Sequence, residues 1–172
     1  MTVALTIAEL NGFDRTRFVA ALAAIYEHSP WVPERAWPQR PFADVAALHA
    51  AMADVVANAG EPRQLALIRA HPELAGKAFA RNELTTESTT EQTGAGLTQC
   101  SAAELARLAD LNARYRDKFG FPFILAVKGY DRGGILEAFT RRLERDRATE
   151  FAESLRQIDR IARFRLEAQI EG

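Results

Sequence analysis

At 172 residues the chain has the length of one domain, and its 48% apolar and 26% charged composition is that of an ordinary globular protein. A net charge of −1, with 22 basic against 23 acidic residues, gives no reason to expect nucleic acid or an anionic membrane as partner. It leaves room for a small anionic substrate held by one or two local arginines.

No apolar run approaches the length of a membrane span. The single cysteine, Cys100, excludes an internal disulfide and a multi-cysteine metal cluster. His28, His49 and His71 lack ligand-type spacing, so no zinc is expected. The N-terminus lacks the basic start and apolar core of a signal peptide, and Glu171-Gly172 is not a peroxisomal address. Cytoplasm is therefore the expected location.

In chain order, Thr6 and Glu9 have capping-box spacing for a first short helix. Phe13-Asp14 reads as staple and N-cap of a second, with Phe18, Leu22, Ile25 and Tyr26 on its buried side. Four prolines and two tryptophans between Ser29 and Pro41 predict an ordered but irregular connection. A third helix is expected from about Pro41 to just before Gly60, and a fourth with Pro62 as its first residue. Pro72 disfavours the α conformation for the residue before it, so that helix falters at His71.

Ser101 and Glu104 cap a further helix with Leu105, Leu108 and Leu111 as core candidates and Gly120 just past its end. Two last helices cover roughly 134–145 and 149–171. Only the run from Phe121 to Val127 departs from a helical pattern. It is short, apolar and interrupted by Pro122, which reads as a buried extended segment. The expected fold class is all-α: a single-domain bundle of about seven to nine helices over 1–172, with one extended segment.

Four places could carry chemistry, and each also has a purely structural reading. His71 is placed outside a helix by Pro72, and its imidazole has the one unperturbed side-chain pKa suited to proton exchange near neutrality. Structurally, it could simply cap its own helix. Ser88-x-x-Glu91-Gln92 reads as a capping box, with Ser88 the cap, or as a helix end that offers a hydroxyl, N–H groups and polar side chains to a ligand.

The Phe121–Val127 segment is either plain core or a strand whose main-chain groups pair with a ligand instead of a sheet. On a helical wheel Arg165 falls on the apolar side of the last helix, beside Ile158 and Ile161, while Arg156, Arg160 and Arg163 face away. An inward arginine needs a partner, either an internal carboxylate or a substrate carboxylate or carbonyl.

Five strings together resemble one family. They are Glu27-His28-Ser29-Pro30-Trp31, Arg69-Ala70-His71-Pro72-Glu73-Leu74, Ser88-Thr89-Thr90-Glu91-Gln92, the run from Gly120 to Gly129, and Ile161-Ala162-Arg163-Phe164-Arg165-Leu166. In order and spacing the sequence is similar to the 2-oxo-4-hydroxy-4-carboxy-5-ureidoimidazoline (OHCU) decarboxylases of urate breakdown, over about 140 of 172 residues.

The resemblance implies an all-helical, usually dimeric enzyme that makes (S)-allantoin without metal or organic cofactor. It implies that His71 is the catalytic proton donor and that Glu91 lies near it. Pro72, Ser88, Gln92 and Arg165, with the backbone of Phe123, Ile124, Leu125, Ala126 and Val127, are implied to bind the ligand.

Overall fold

Helix starts and stops follow the capping residues. In a computed structural model, which describes residues 4–171, the Thr6 hydroxyl accepts from the Glu9 amide at 3.3 Å while Glu9 accepts from the Thr6 amide at 2.9 Å. This closes the box expected at the start of α1 (Ile7–Gly12). Asp14 caps α2 (Arg15–Ala21), and Asp44 caps α4 (Val45–Ala57). The start of α4 at Val45 rather than near Pro41 follows from that Asp44 cap.

The Ser29 to Pro41 stretch is more helical than its prolines suggest: it forms α3 (Trp31–Ala36) and a 3-10 turn at Trp37–Gln39. Pro33 lies in the first turn of α3, where an amide hydrogen has no intrahelical partner to lose. His28 lies between α2 and α3 with φ 46°. Glu61, not Pro62, opens α5 (Glu61–Ala70).

The chain gathers into two compact units. One comprises the chain up to Ala70 together with everything from Asp159 onward; the other is His71–Ile158. In the first unit, β1 (Leu5–Thr6) pairs in parallel with β2 (Ile170–Glu171), a two-strand ladder the sequence pattern did not reveal. Leu10, Phe18, Leu22, Val32, Leu48 and Met52 are fully buried there. His49 Nε2 hydrogen-bonds the Asp159 carbonyl at 3.0 Å and lies 2.9 Å from Asp159 Oδ1, a charge contact off the line of that bond. The Asp159 side chain, against the opposing effect of burial, raises the imidazole above its ordinary pKa of 6.5.

The second unit holds α6 (Lys77–Ala80), α7 (Thr86–Gly94), α8 (Ala102–Phe119), α9 (Arg132–Leu143) and the part of α10 (Arg147–Gln169) that precedes Asp159. The Ser101–Glu104 box opens α8, and Gly120, at φ 78°, ends it in the left-handed conformation. Leu108, Leu111, Tyr115 and Phe119 form the buried stripe of α8. Leu105 does not join them: at the edge of that stripe, near the helix start, it is 45% exposed.

Tyr115 packs against Phe119, Phe121, Phe123 and Phe139. Its hydroxyl donates to Glu150 at 2.6 Å, and Arg142 Nε donates to the same carboxylate at 2.8 Å. Burial, and then the Glu150 acceptor, push the Tyr115 phenol above its ordinary pKa. The fold class is all-α, with ten α-helices among the described residues. The additional helices are the short α3 and α6. None is long and apolar enough to cross a membrane.

Two outcomes follow. Arg142 and Glu150 are 4% and 0% exposed, so removing one strands the other charge in the core. Glu150→Leu should therefore lower stability by about 3–5 kcal/mol in urea denaturation. A loss below about 1 kcal/mol would show that the pair does not hold this unit.

For His49, a folded-state pKa above the unfolded one means that its stabilisation is complete below about 6.5 and fades as pH rises through the folded value. The stability gap between the native chain and His49→Gln should thus be larger at about pH 5.5 than at about pH 8.5. A gap that widens with rising pH contradicts the assignment.

Candidate functional site

α5 stops at Ala70, so His71 is the first residue past the helix and Pro72 follows with no amide hydrogen to extend it. The His71 side chain is buried, at 7% exposure. The chain then turns sharply. Ala75 adopts φ 49°, and at Gly76 any Cβ would stand 2.9 Å from the Glu73 Cβ, a distance only glycine avoids.

Three side chains of the same unit pin this turn. Gln92 accepts from the Ala75 amide at 2.8 Å and donates to the Glu73 carbonyl at 3.3 Å. Asn112 donates to the Leu74 carbonyl at 2.9 Å. Arg116 pairs with the Glu73 carboxylate. Gln92 and Asn112 are both buried, at 3% and 4% exposure, so these bonds are made away from competing water.

The Ser88 segment differs from its capping-box reading. The N-cap of α7 is Thr85, whose hydroxyl accepts from the Ser88 amide at 3.2 Å. Ser88 is thereby the third residue of the helix, and its side chain is buried. Ser88, Glu91 and Gln92 lie three and four apart and so share one face of α7. Gln92 carries that face directly to the turn after His71. The structure thus joins Gln92 to the loop that holds His71 and Pro72, with Ser88 and Glu91 on the same helix face.

The run after α8 is neither helical nor paired in a sheet, as its pattern predicts, and Phe123 to Val127 are all buried. Three of its main-chain polar groups are satisfied, two by side chains and one by a turn. Arg142 Nη1 donates to the Ile124 carbonyl at 2.5 Å, Gln157 Oε1 accepts from the Ala126 amide at 2.9 Å, and the Tyr130 amide donates to the Val127 carbonyl at 2.9 Å. The Phe123 ring is stacked on Phe139 at 3.9 Å, and the Arg142 guanidinium lies over the Phe123 ring at 4.4 Å from its centroid.

Arg165 belongs to the other unit. Its guanidinium meets Glu27 at 2.9 Å and the Ala24 carbonyl at 2.9 Å, with Arg165 and Glu27 6% and 2% exposed. The carboxylate demanded by an inward arginine is therefore Glu27. That requirement was the signal for it, though sequence alone could not say which acid answered. Asn112, Arg142 and Gln157 carry no comparable signal, because each is an ordinary polar residue in a helical pattern. A groove of about 620 Å³ between α6 and α8 is lined by Gly76, Lys77, Leu105, Ala109 and Asn112; none of His71, Ser88, Glu91 or Gln92 lines it.

A family model described as OHCU decarboxylase matches residues 11–167, a span that runs through both units. The 2-oxo-4-hydroxy-4-carboxy-5-ureidoimidazoline decarboxylase of Halalkalicoccus jeotgali is 44% identical over 163 residues, 95% of this chain and 90% of that protein. The protein of the same name from Haloferax volcanii is 42% identical, over 94% of each chain. Among solved structures, a crystal structure of (S)-allantoin synthase matches with a TM-score of 0.77 at 29% identity over 97% of this chain. This chain spans 54% of that one. On the extent of the family match and the near-full-length similarity to these relatives, the chain belongs to the OHCU decarboxylase family.

Proposed function

We propose that the chain decarboxylates 2-oxo-4-hydroxy-4-carboxy-5-ureidoimidazoline to (S)-allantoin, with His71 as the residue that delivers the proton. The observation that carries the reading is the pinned turn: Gln92 fixes the loop of His71 from the helix face that also presents Ser88 and Glu91. The names of the similar proteins support the reaction.

The substrate's own structure sets what the protein must supply. The carbon–carbon bond to the carboxylate breaks, and its electron pair forms a C=C bond as the neighbouring C=N pair moves to nitrogen, which takes a proton. The hydroxyl then becomes a carbonyl as the ureido-bearing carbon is protonated. Because the C=N accepts the electrons, the chain needs no separate electron sink. It has to orient the ring, stabilise the developing charge and add one proton on one face.

In this reading His71 delivers that proton, and Glu91 orients the imidazole and holds a ring N–H or hydroxyl. Pro72 packs on the ring, while Ser88, Gln92 and the Phe123–Val127 backbone bind its polar edges. Arg165 binds a substrate carbonyl or carboxylate, its guanidinium held by Glu27 and the Ala24 carbonyl. The same family likeness supports a homodimer at work in the cytoplasm, which sedimentation and fractionation would check.

Positioned acid–base catalysis is worth about 10²–10⁴-fold. His71→Gln, assayed on substrate generated in place from urate, should lower kcat by about that range while leaving the thermal transition near its native value. A folded His71→Gln protein with near-native turnover would remove His71 from this role.

A further inference from the structure

The 123–127 segment has two main-chain edges, and side chains hold only one of them. In an extended chain the N–H and C=O of one residue point to one edge, and those of the next residue point to the other. The Ile124 carbonyl and the Ala126 amide lie on the same edge, and they are taken by Arg142 and Gln157. Leu125 belongs to the opposite edge. Among the described residues no hydrogen bond reaches its main-chain N–H or C=O, although the residue is 5% exposed.

A buried main-chain pair without partners is costly unless something completes it. An amide and a carbonyl side by side present one donor and one acceptor, the complement of a ureido or cyclic urea group.

We infer that Gln157, backed by Arg142, is a positioning residue: it holds the Ala126 edge so that Leu125 turns its amide and carbonyl to the ureido or ring-urea group of the substrate. The inference rests on the decarboxylase reading.

Gln157 itself is fixed from behind. It is 6% exposed, and its Nε2 donates to Glu153 Oε1 at 2.7 Å, so its carbonyl oxygen can point only at the Ala126 amide. Arg142 is anchored by Glu150 in the same manner, its Nε on the carboxylate and its Nη1 on the Ile124 carbonyl. Side chains thus do for this edge what a neighbouring strand would do in a sheet. A register error of one residue would turn Ala126 instead of Leu125 to the ligand.

The test is a KM-against-kcat comparison with a built-in rescue. Gln157→Met keeps the volume and loses the acceptor. Loss of one substrate-aligning hydrogen bond should raise KM for the ureidoimidazoline about tenfold, with kcat within about twofold of native. The double variant Gln157→Glu with Glu153→Gln exchanges carboxylate and amide and restores an acceptor for the Ala126 amide. It should bring KM back to within about threefold of native.

Hydrogen exchange on the native protein gives a second readout that needs no variant. The Ala126 amide should be protected with or without (S)-allantoin, and the Leu125 amide should gain protection only when (S)-allantoin is added. Unchanged KM in Gln157→Met, failure of the folded double variant to recover it, or ligand-induced protection at Ala126 instead of Leu125 would overturn the inference alone. A native protein that neither speeds the reaction nor binds (S)-allantoin would overturn the functional reading, and this inference with it.

Discussion

Pro72 has no amide hydrogen, and its ring disfavours helical backbone at His71, so α5 cannot run on past Ala70. That one covalent constraint decides where the imidazole sits. A histidine inside a helix would have its side chain fixed along a helix face; one just past the end takes its direction from whatever holds the following turn. Here the turn is held three times over, by Gln92, Asn112 and Arg116. Two of these bonds are buried, where each counts for more than it would in water. The pair between exposed Arg116 and Glu73 adds little by comparison.

The same device recurs at the other irregular segment of this unit. Neither the His71 turn nor the Phe121–Val127 run has a helix or sheet to satisfy its main chain. In each, long polar side chains from neighbouring helices take the carbonyls and amides directly. Gln92 and Gln157 act alike: each amide bridges a helix to the main chain of a loop. This makes the irregular backbone rigid without a sheet, and rigidity is what stereochemically selective proton delivery asks of a site. The cost is sensitivity, since one buried amide replaced by an apolar group leaves a main-chain partner unpaired.

Much of this was legible in the chain itself. The caps at Thr6, Asp14 and Ser101, the stop at Gly120, the break at His71 and the non-helical run at Phe121 each depend on one or two neighbouring residues, and each is present. The inward arginine was also visible, because 3.6-residue periodicity alone places Arg165 among Ile158, Ile161 and Leu166.

What stayed hidden depends on contacts distant in sequence or on competition between close alternatives. Ser88 and Thr85 are both good caps, and Thr85 took the position, which drew Ser88 inside the helix. Leu105 has the right periodicity but stands at the edge of its stripe. Glu27, Asn112 and Gln157 act on residues 138, 38 and 31 positions away, and nothing in their local sequence announces it. The β1–β2 pair joins the two ends of the described chain and is likewise invisible to any local pattern.

In the proposed reaction a firmly held His71 adds a proton to one face of a planar intermediate. Circular dichroism of the product, with substrate formed in place from urate, tests it most directly. With the protein present, allantoin should form faster and as a single enantiomer, the (S) form. Accelerated formation of racemic allantoin would contradict it, because carbon dioxide would then leave with the protein's help while the proton arrived without its control.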